Sequence, residues 1–124
     1  RPEPVSQLRV RGWVRDALCD QACSALVDIR PEGQNEGSAG VSEVYHVVAS
    51  IVFRDAASNT EERCPVAEFR FQSRGAVTRV KVDGLKLSAQ VEIKVWAMNA
   101  AGQSSPVAIE VRTPDTAAAA AEAL

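Results

Sequence analysis

The sequence predicts an all-β domain, a sandwich of seven short strands in two packed sheets. The first observation behind this prediction is a period-two alternation of apolar and polar side chains, which is typical of half-buried strands. The second is the placement of Gly, Pro, Asn, Asp and Ser between these segments, where turns are expected. Seven short strands separated by such turns indicate a sandwich, and no long stretch with helical spacing interrupts them.

The first four predicted strands are rich in residues that favour strands, above all Val, Ile, Tyr and Phe. The second of them ends at Pro31, which cannot continue a ladder of backbone hydrogen bonds. The fourth places Phe69 and Phe71 on one face. These strands are predicted at residues 5–14, 24–30, 43–53 and 66–72.

The last three predicted strands cover residues 77–82, 90–99 and 107–113, and the first of them ends at the turn signal Asp83-Gly84. Residues 90–99 alternate so regularly that both faces can be assigned. The inward set, which we expect to be almost fully buried, is Val91, Ile93 and Val95, together with Ile29 of an earlier strand; the outward set is Glu92, Lys94, Trp96 and Met98.

Three segments are predicted as loops, and the C-terminal tail is excluded from the domain. The loops cover residues 15–23, where a short helical turn fits, residues 31–41, which are rich in Gly, and residues 55–65. Residues 116–124 are Ala-rich and too short for a stable isolated helix. We interpret them as a linker or an expression remnant, so the predicted domain spans residues 1–115.

Length and charge exclude several classes of protein. A chain of 124 residues corresponds to one domain. Its net charge of −2 argues against a nucleic-acid binder. No apolar run reaches the roughly 18 residues of a membrane span, so we expect no membrane insertion. No positively charged leader with an apolar segment opens the sequence, so no signal peptide is expected.

Residues 80–114 contain in order a strand, a Gly-Leu turn, an alternating strand ending in Ala-x-Asn-x-x-Gly, a Ser/Pro loop and a last strand ending in Thr-Pro. This order resembles the C-terminal part of a fibronectin type III domain. The resemblance implies a seven-stranded immunoglobulin-like sandwich, and it extends more weakly back to Pro4. The matching residues are Gly84-Leu85, Ala97, Asn99, Gly102, Ser105-Pro106 and Thr113-Pro114.

Two positions depart from the family pattern. The core tryptophan of the family's second strand is replaced by Ile29, and the guess that Trp13 supplies the missing aromatic bulk follows from this. The tyrosine that normally ties the sixth strand to the preceding loop is replaced by Val91. An immunoglobulin-like sandwich of another topology therefore stays open.

The three cysteines are expected to be free thiols. Their number is odd, and Cys19 and Cys23 form a C-x3-C spacing far from Cys64. Four residues of extended strand span roughly 13 Å, too far for a disulfide with its Cα atoms about 5.5 Å apart, although a helical turn would allow one. A zinc site needs a fourth ligand, which only His46 could supply. We expect no metal, and reduced cysteines favour an intracellular parent protein.

Catalysis is not expected from this chain. His46 could act as a general base, but no nucleophile motif, zinc-protease motif or phosphate-binding Gly loop accompanies it. On the predicted strand His46 points outward, which indicates a solvated side chain. Glu61 and Glu62 fall in a predicted polar loop. The sequence therefore predicts no enzyme, no catalytic residue and no cofactor.

The most informative feature is a set of apolar side chains on the predicted outer face of neighbouring strands. Exposed apolar patches mark contact sites, and Trp is enriched at the energetic centres of interfaces. The alternative is that the indole is covered by its own loops or by the stem of Lys94 or Arg112. The predicted patch consists of Trp96, Met98, Val48 and Val52.

These observations predict a non-catalytic module for protein interaction or scaffolding within a larger protein. It would bind through the face formed by the family's strands C, F and G, here residues 43–53, 90–99 and 107–113. The expected partner is a protein: another domain of the parent, a separate protein, or a second copy. Two alternatives stay open, a structural spacer without its own ligand and an accessory domain of a larger enzyme, for example a carbohydrate-active one.

Overall fold

The computed structural model describes residues 5–16, 18–31, 43–73, 78–99 and 102–118. These ranges form an all-β fold, and no helix within them is long and apolar enough to cross a membrane. The strands are β1 (Val5–Arg15), β2 (Ala22–Pro31), β3 (Glu43–Asp55), β4 (Thr60–Ser73), β5 (Thr78–Lys86), β6 (Gln90–Asn99), β7 (Gly102–Gln103) and β8 (Val107–Arg112).

The strands form two antiparallel sheets. One sheet has three strands in the order β1-β2-β5, and the other has five, in the order β4-β3-β6 with both β7 and β8 paired to β6. Because side chains alternate between faces along a strand, each sheet turns one apolar face toward the other. This arrangement is a β-sandwich.

The core lies between the two sheets and confirms the predicted register. Val91, Ile93 and Val95 of β6 and Ile29 of β2 are all fully buried. Their burial fixes every neighbour on β6 to the outer face, since a shift of one residue would exchange the two faces. Trp13 of β1 is half-buried against this core.

The described residues contain eight strands, so the predicted number of seven is wrong. The last predicted strand is preceded by β7, which pairs with the end of β6 and is then interrupted at residues 104–106. The buried Ser104 accounts for this interruption, because its N–H donates to the carbonyl of Ala97 (2.8 Å) and its hydroxyl accepts from the N–H of Ala97 (2.9 Å). Pro106, which follows, has no N–H to donate.

The predicted loop at residues 55–65 is also wrong. Only residues 56–59 form the turn, and Thr60 to Pro65 belong to β4. The turn is held by Asp55, whose carboxylate accepts from the N–H of Ala57 at 3.0 Å, and by Asn59, whose φ of 55° lies in the left-handed region. The polar residues Glu61, Glu62 and Arg63 resemble a loop in sequence because they lie on an edge strand that is exposed to solvent.

The turn predicted at Asp83-Gly84 is a bulge within β5 rather than its end. Gly84 has a φ of 79°, which favours glycine, and the register between β2 and β5 shifts beside it. The described part of residues 15–23 contains bends and turns and no helix. Most of the predicted loop at residues 31–41 lies outside the described residues. Ala117, in the predicted tail, is half-buried against the core.

Thr113 ties the end of β8 to the turn that precedes β6. Val91 is buried and has no hydroxyl, but Thr113, which follows β8, is buried beside the turn that precedes β6. Its hydroxyl donates to the carbonyl of Lys86 at 2.7 Å and accepts from the N–H of Ala89 at 2.8 Å. These bonds satisfy backbone groups that would otherwise be buried without a partner.

Candidate functional site

The candidate site lies on the outer face of the five-stranded sheet. The inner face of β3 and β6 is buried, so their other residues point away from the core. The register places Val44 opposite Met98, His46 opposite Trp96 and Val48 opposite Lys94.

The structure brings together three of the four predicted site residues. Trp96, Met98 and Val48 are half-buried neighbours on β6 and β3. Val52 points to the same face, but only 6% of it is exposed, and the row of Ser50 and Glu92 separates it from the others. The expectation that Val52 belongs to an exposed patch is therefore corrected.

Two further residues complete this cluster. Val44 and His46 lie on the outer face of β3 and are half-buried. The alternation of residues 43–53 predicts that both point outward. Neither is a large apolar side chain, so neither was included in the predicted patch. We call the cluster the aromatic half of the face; its residues are Val44, His46, Val48, Trp96 and Met98.

His46 is the centre of the aromatic half and is not the solvated side chain that was predicted. Its ring stacks on Trp96 with 5.1 Å between ring centroids and 26° between planes. Its Nε2 lies 2.6 Å from a carboxylate oxygen of Glu68 on β4. Only 14% of the His46 side chain is exposed, while Glu68 is 61% exposed. The indole and the carboxylate together hold the imidazole in one orientation.

Lys94 covers part of the indole. Its Nζ lies 5.7 Å from the centroid of Trp96, within the range of a cation–π contact. The sequence alternative in which Lys94 covers Trp96 thus describes part of the arrangement. Arg112 does not cover the indole, because it stands opposite Gln90, at the other end of the face. Even with both His46 and Lys94 in place, Trp96 keeps part of its surface in solvent.

The opposite end of the face carries a continuous series of ion pairs, which we call the ion-paired half. Arg54 contacts both carboxylate oxygens of Glu110 through Nη2 at 2.8 Å, and its Nε donates to Glu61 at 2.7 Å. Arg63 continues the series, with Glu61 at 2.7 Å and Glu92 at 2.8 Å. The residues of the ion-paired half are Arg54, Glu61, Arg63, Glu92 and Glu110.

These contacts shift the pKa values of their members in the direction expected for ion pairs. Hydrogen bonds from Arg54, and then from Gln90, lower the pKa of Glu110 below its usual value. The hydrogen bond to Glu110 raises the pKa of Arg54, and the hydrogen bond to Glu92 raises that of Arg63.

The ion-paired half explains why Val52 is buried although it points away from the core. Val52 stands opposite Arg63, and Arg54 follows it two residues later on the same face. The apolar stems of long cationic side chains cover neighbouring apolar surface, and here their paired carboxylates hold those stems in place.

The potential metal ligands and the thiols of the described ranges do not gather into one cluster. No group of three or more His, Cys, Asp or Glu side chains in the described ranges could hold a metal ion. Cys19 and Cys64 are exposed free thiols, and Cys23 is a buried one whose pKa is raised, first by burial and then by the nearby Asp16. A shallow cavity of about 340 Å³ lies at the end of the ion-paired half, lined among others by Phe53, Lys86 and Arg112.

Comparison with known proteins supports the fold. The kinase region of twitchin from C. elegans (Fn31-NL-kin-CRD-Ig26) matches 92% of this chain and 17% of that one, with 22% identity and a TM-score of 0.52. The sensor domain of the anti-sigma factor RsgI4 from Pseudobacteroides cellulosolvens matches over 89% and 77%, with 11% identity and a TM-score of 0.40. No protein-family model and no curated protein matches the sequence.

The twitchin likeness shows an immunoglobulin-like β-sandwich fold. This chain spans less than a fifth of the twitchin kinase region, which is a multidomain protein. A sandwich of this kind therefore occurs as one module within a longer chain.

Proposed function

We propose that this chain is a fibronectin type III domain that acts as a non-catalytic protein-interaction module of a larger protein. Support for the family comes from the pattern of residues 80–114 and from the strand order. β1, β2 and β5 correspond to the family's first sheet, and β4, β3, β6 and the β7–β8 pair correspond to its second. The binding surface of the proposal is the aromatic half.

The observation that carries this proposal is the half-exposed Trp96 on the outer face of a sheet. The solvated face of an antiparallel sheet is usually polar, and the ion-paired half of the same face follows that rule. The aromatic half departs from it with an indole, a thioether and two valines in one cluster. Such a cluster gains free energy when a partner removes its apolar surface from water.

The surroundings of the cluster favour a protein partner. Interfaces between proteins place aromatic and Met side chains at the centre and polar groups at the rim. Here Glu68, Arg70, Gln72 and Gln103 lie on the adjoining strands and are exposed. Another domain of the parent protein is the partner that we expect, because the chain would meet it at high effective concentration.

The experiment is a titration of the isotope-labelled chain with the adjoining domains of its parent, followed by nuclear magnetic resonance. We expect the indole N–H signal of Trp96 to shift and the signals of the ion-paired half to stay in place. Trp96→Ser should weaken the affinity about tenfold or more, as expected for a central Trp. The control is Phe53→Ser, which removes an aromatic side chain that is 51% exposed outside the cluster.

Equal affinity of Trp96→Ser and wild type would contradict the binding surface. No spectral change with any adjoining domain would contradict the interaction module and favour a spacer.

A further inference from the structure

β4 is an unpaired edge of the five-stranded sheet. It pairs with β3 on one side, and no strand of the described ranges pairs with its other side. An edge strand presents a row of free backbone N–H and C=O groups, which can pair with another strand. Proteins usually block such an edge with a proline, a bulge, charged side chains or a covering segment.

The first part of β4 carries a proline and a bulge, whereas the second part carries the opposite charges of Glu68 and Arg70. The register with β3 shifts between Ala49 and Ser50, which leaves Val66 as an extra residue beside Pro65. Beyond this bulge the register runs without a shift from Ala67 to Ser73. This second part contains no proline and no glycine, and no strand of the described ranges pairs with its outer edge.

We propose that a second copy of the chain adds to this edge, antiparallel to β4 and centred on Phe69. In this register Glu68 of each copy stands directly opposite Arg70 of the other. Opposite charges at directly facing positions stabilise a pair of strands. A two-fold axis through Phe69 forms both charge pairs at once, as in a closed symmetric dimer.

The inward side of the same segment is complementary as well. Phe69 would meet Phe69 of the second copy, and Ala67 would meet Phe71, so that a small residue faces a large one. All three are half-buried at the rim of the core, and the two rings lie 6.0 Å apart. Pairing would remove their remaining apolar surface from water, and aromatic cross-strand pairs stabilise sheets.

Other registers lose this complementarity. A register centred on Glu68 places two carboxylates opposite each other, and one centred on Arg70 does the same with two guanidinium groups. A register offset by a single residue would put inward side chains opposite outward ones. Both charged side chains reach solvent: Glu68 contacts His46 through one carboxylate oxygen and is still 61% exposed, and Arg70 is exposed and forms no ion pair within the described ranges.

The dimer goes beyond the proposed function and does not depend on it. It uses the backbone edge of β4 with Glu68 and Arg70, which belong only to the rim of the proposed binding surface, whereas the centre of that surface is made by side chains of β3 and β6. A two-fold axis perpendicular to the sheet would place the aromatic halves of both copies on one continuous outer face.

The experiment is sedimentation velocity over a concentration series with wild type and three variants. Arg70→Glu turns both charge pairs into repulsions and should weaken the dimer roughly tenfold or more. The double variant Glu68→Arg with Arg70→Glu restores opposite charges in exchanged positions and should recover most of the affinity. The control is Arg11→Glu, the same charge change on β1, which should leave the dimer unchanged. Circular dichroism checks that each variant is folded.

Amide hydrogen exchange of the wild-type protein is a second measurement of dimer formation that needs no variant. The amides of residues 67–71 should exchange more slowly as the concentration rises, while those of β1 should not change. A monomer at every concentration, or a dimer that Arg70→Glu leaves intact, would overturn the proposal. Trp96→Ser should not alter the dimer, so a failure of the proposed binding surface would be seen separately.

Discussion

The two halves of the outer face of the five-stranded sheet differ in how well they cover outward apolar side chains from solvent. Both lie over β3 and β6, and in both β3 directs a valine away from the core, Val52 in the ion-paired half and Val48 in the aromatic half. In the ion-paired half, charged side chains contact one another in series and Val52 is almost completely buried. In the aromatic half, His46 and Lys94 cover Trp96 only in part.

The difference teaches when an outward apolar residue indicates a binding surface. A valine is small enough to be covered by the stems of flanking arginines, and it then belongs to the stability of the domain. An indole is too large for the one lysine and one histidine that flank it. Outward direction alone therefore does not identify a binding surface. A binding surface is indicated when the outward side chain is too large for its neighbours to cover.

The largest expected effect comes from the residue beneath the boundary between the halves. Ile93 is fully buried under the sheet, between the outward neighbours Glu92 and Lys94. Ile93→Ala should lower the free energy of unfolding by about 2–5 kcal/mol, the cost of deleting a buried aliphatic side chain and leaving a cavity. Urea denaturation measures this, and Arg11→Ala, at an exposed position, should change it by less than about 0.5 kcal/mol.

A cost for Ile93→Ala as small as that of the control would mean that the register is wrong. The two halves would then face the core, and their comparison as outer surfaces would fail.

Two valines on the outer face of β3 test how well each half shields apolar surface from solvent. Val52→Ala should cost about 1–2 kcal/mol, because its two lost methyl groups are buried under the ion pairs. Val48→Ala in the aromatic half should cost about half as much, since Val48 is only half-buried. Thermal or urea unfolding of both variants gives the difference. Equal costs would show that the two halves cover their valines equally well.

Acid should weaken the ion-paired half selectively. The pKa of Glu110 is lowered in the folded state, first by its hydrogen bonds from Arg54. A carboxyl group with a lowered folded-state pKa stabilises the fold above its unfolded pKa, and this contribution is lost as the pH falls through the folded-state value. Wild type should therefore be more stable than Glu110→Gln at pH 7, and the difference should shrink below the ordinary value of 4.5. Melting temperatures at several pH values measure it.

A difference between wild type and Glu110→Gln that stays constant into acid would contradict the role of this ion pair. High salt at neutral pH provides an independent check, since screening should reduce the same difference.

The core of the fold could be predicted because alternation is a local property. Residues 90–99 were assigned with their exact bounds, and their inward set is buried as expected. The first part of β4 was missed because Glu61 and Arg63 gain their partners from β3 and β6, which are distant in sequence. The break between β7 and β8 was missed for the same reason, as it depends on two hydrogen bonds between Ser104 and the backbone of Ala97, one donated by each residue.

The sequence predicted which side chains of the candidate site point outward, but not how much of each is exposed to solvent. Alternation placed Trp96, Met98, Val48 and Val52 on the outer face correctly. It could not show that Arg63 stands opposite Val52, because the register of β4 against β3 depends on the bulge at Val66.

The smallest effect concerns Lys94, which contacts both halves. Its Nζ lies 5.7 Å from the centroid of Trp96 and 3.7 Å from a carboxylate oxygen of Glu92. Lys94→Gln should cost about 0.5–1 kcal/mol, the usual value of a cation–π contact at an exposed site. A double-mutant cycle with Trp96→Ser, followed by urea unfolding, isolates this contact, and a cycle with Glu92→Gln isolates the ion pair. We expect coupling to Trp96 to exceed coupling to Glu92, because Glu92 is already paired with Arg63 at 2.8 Å and lies 3.7 Å from Lys94. The opposite order would assign Lys94 to the ion-paired half and leave the indole covered by His46 alone.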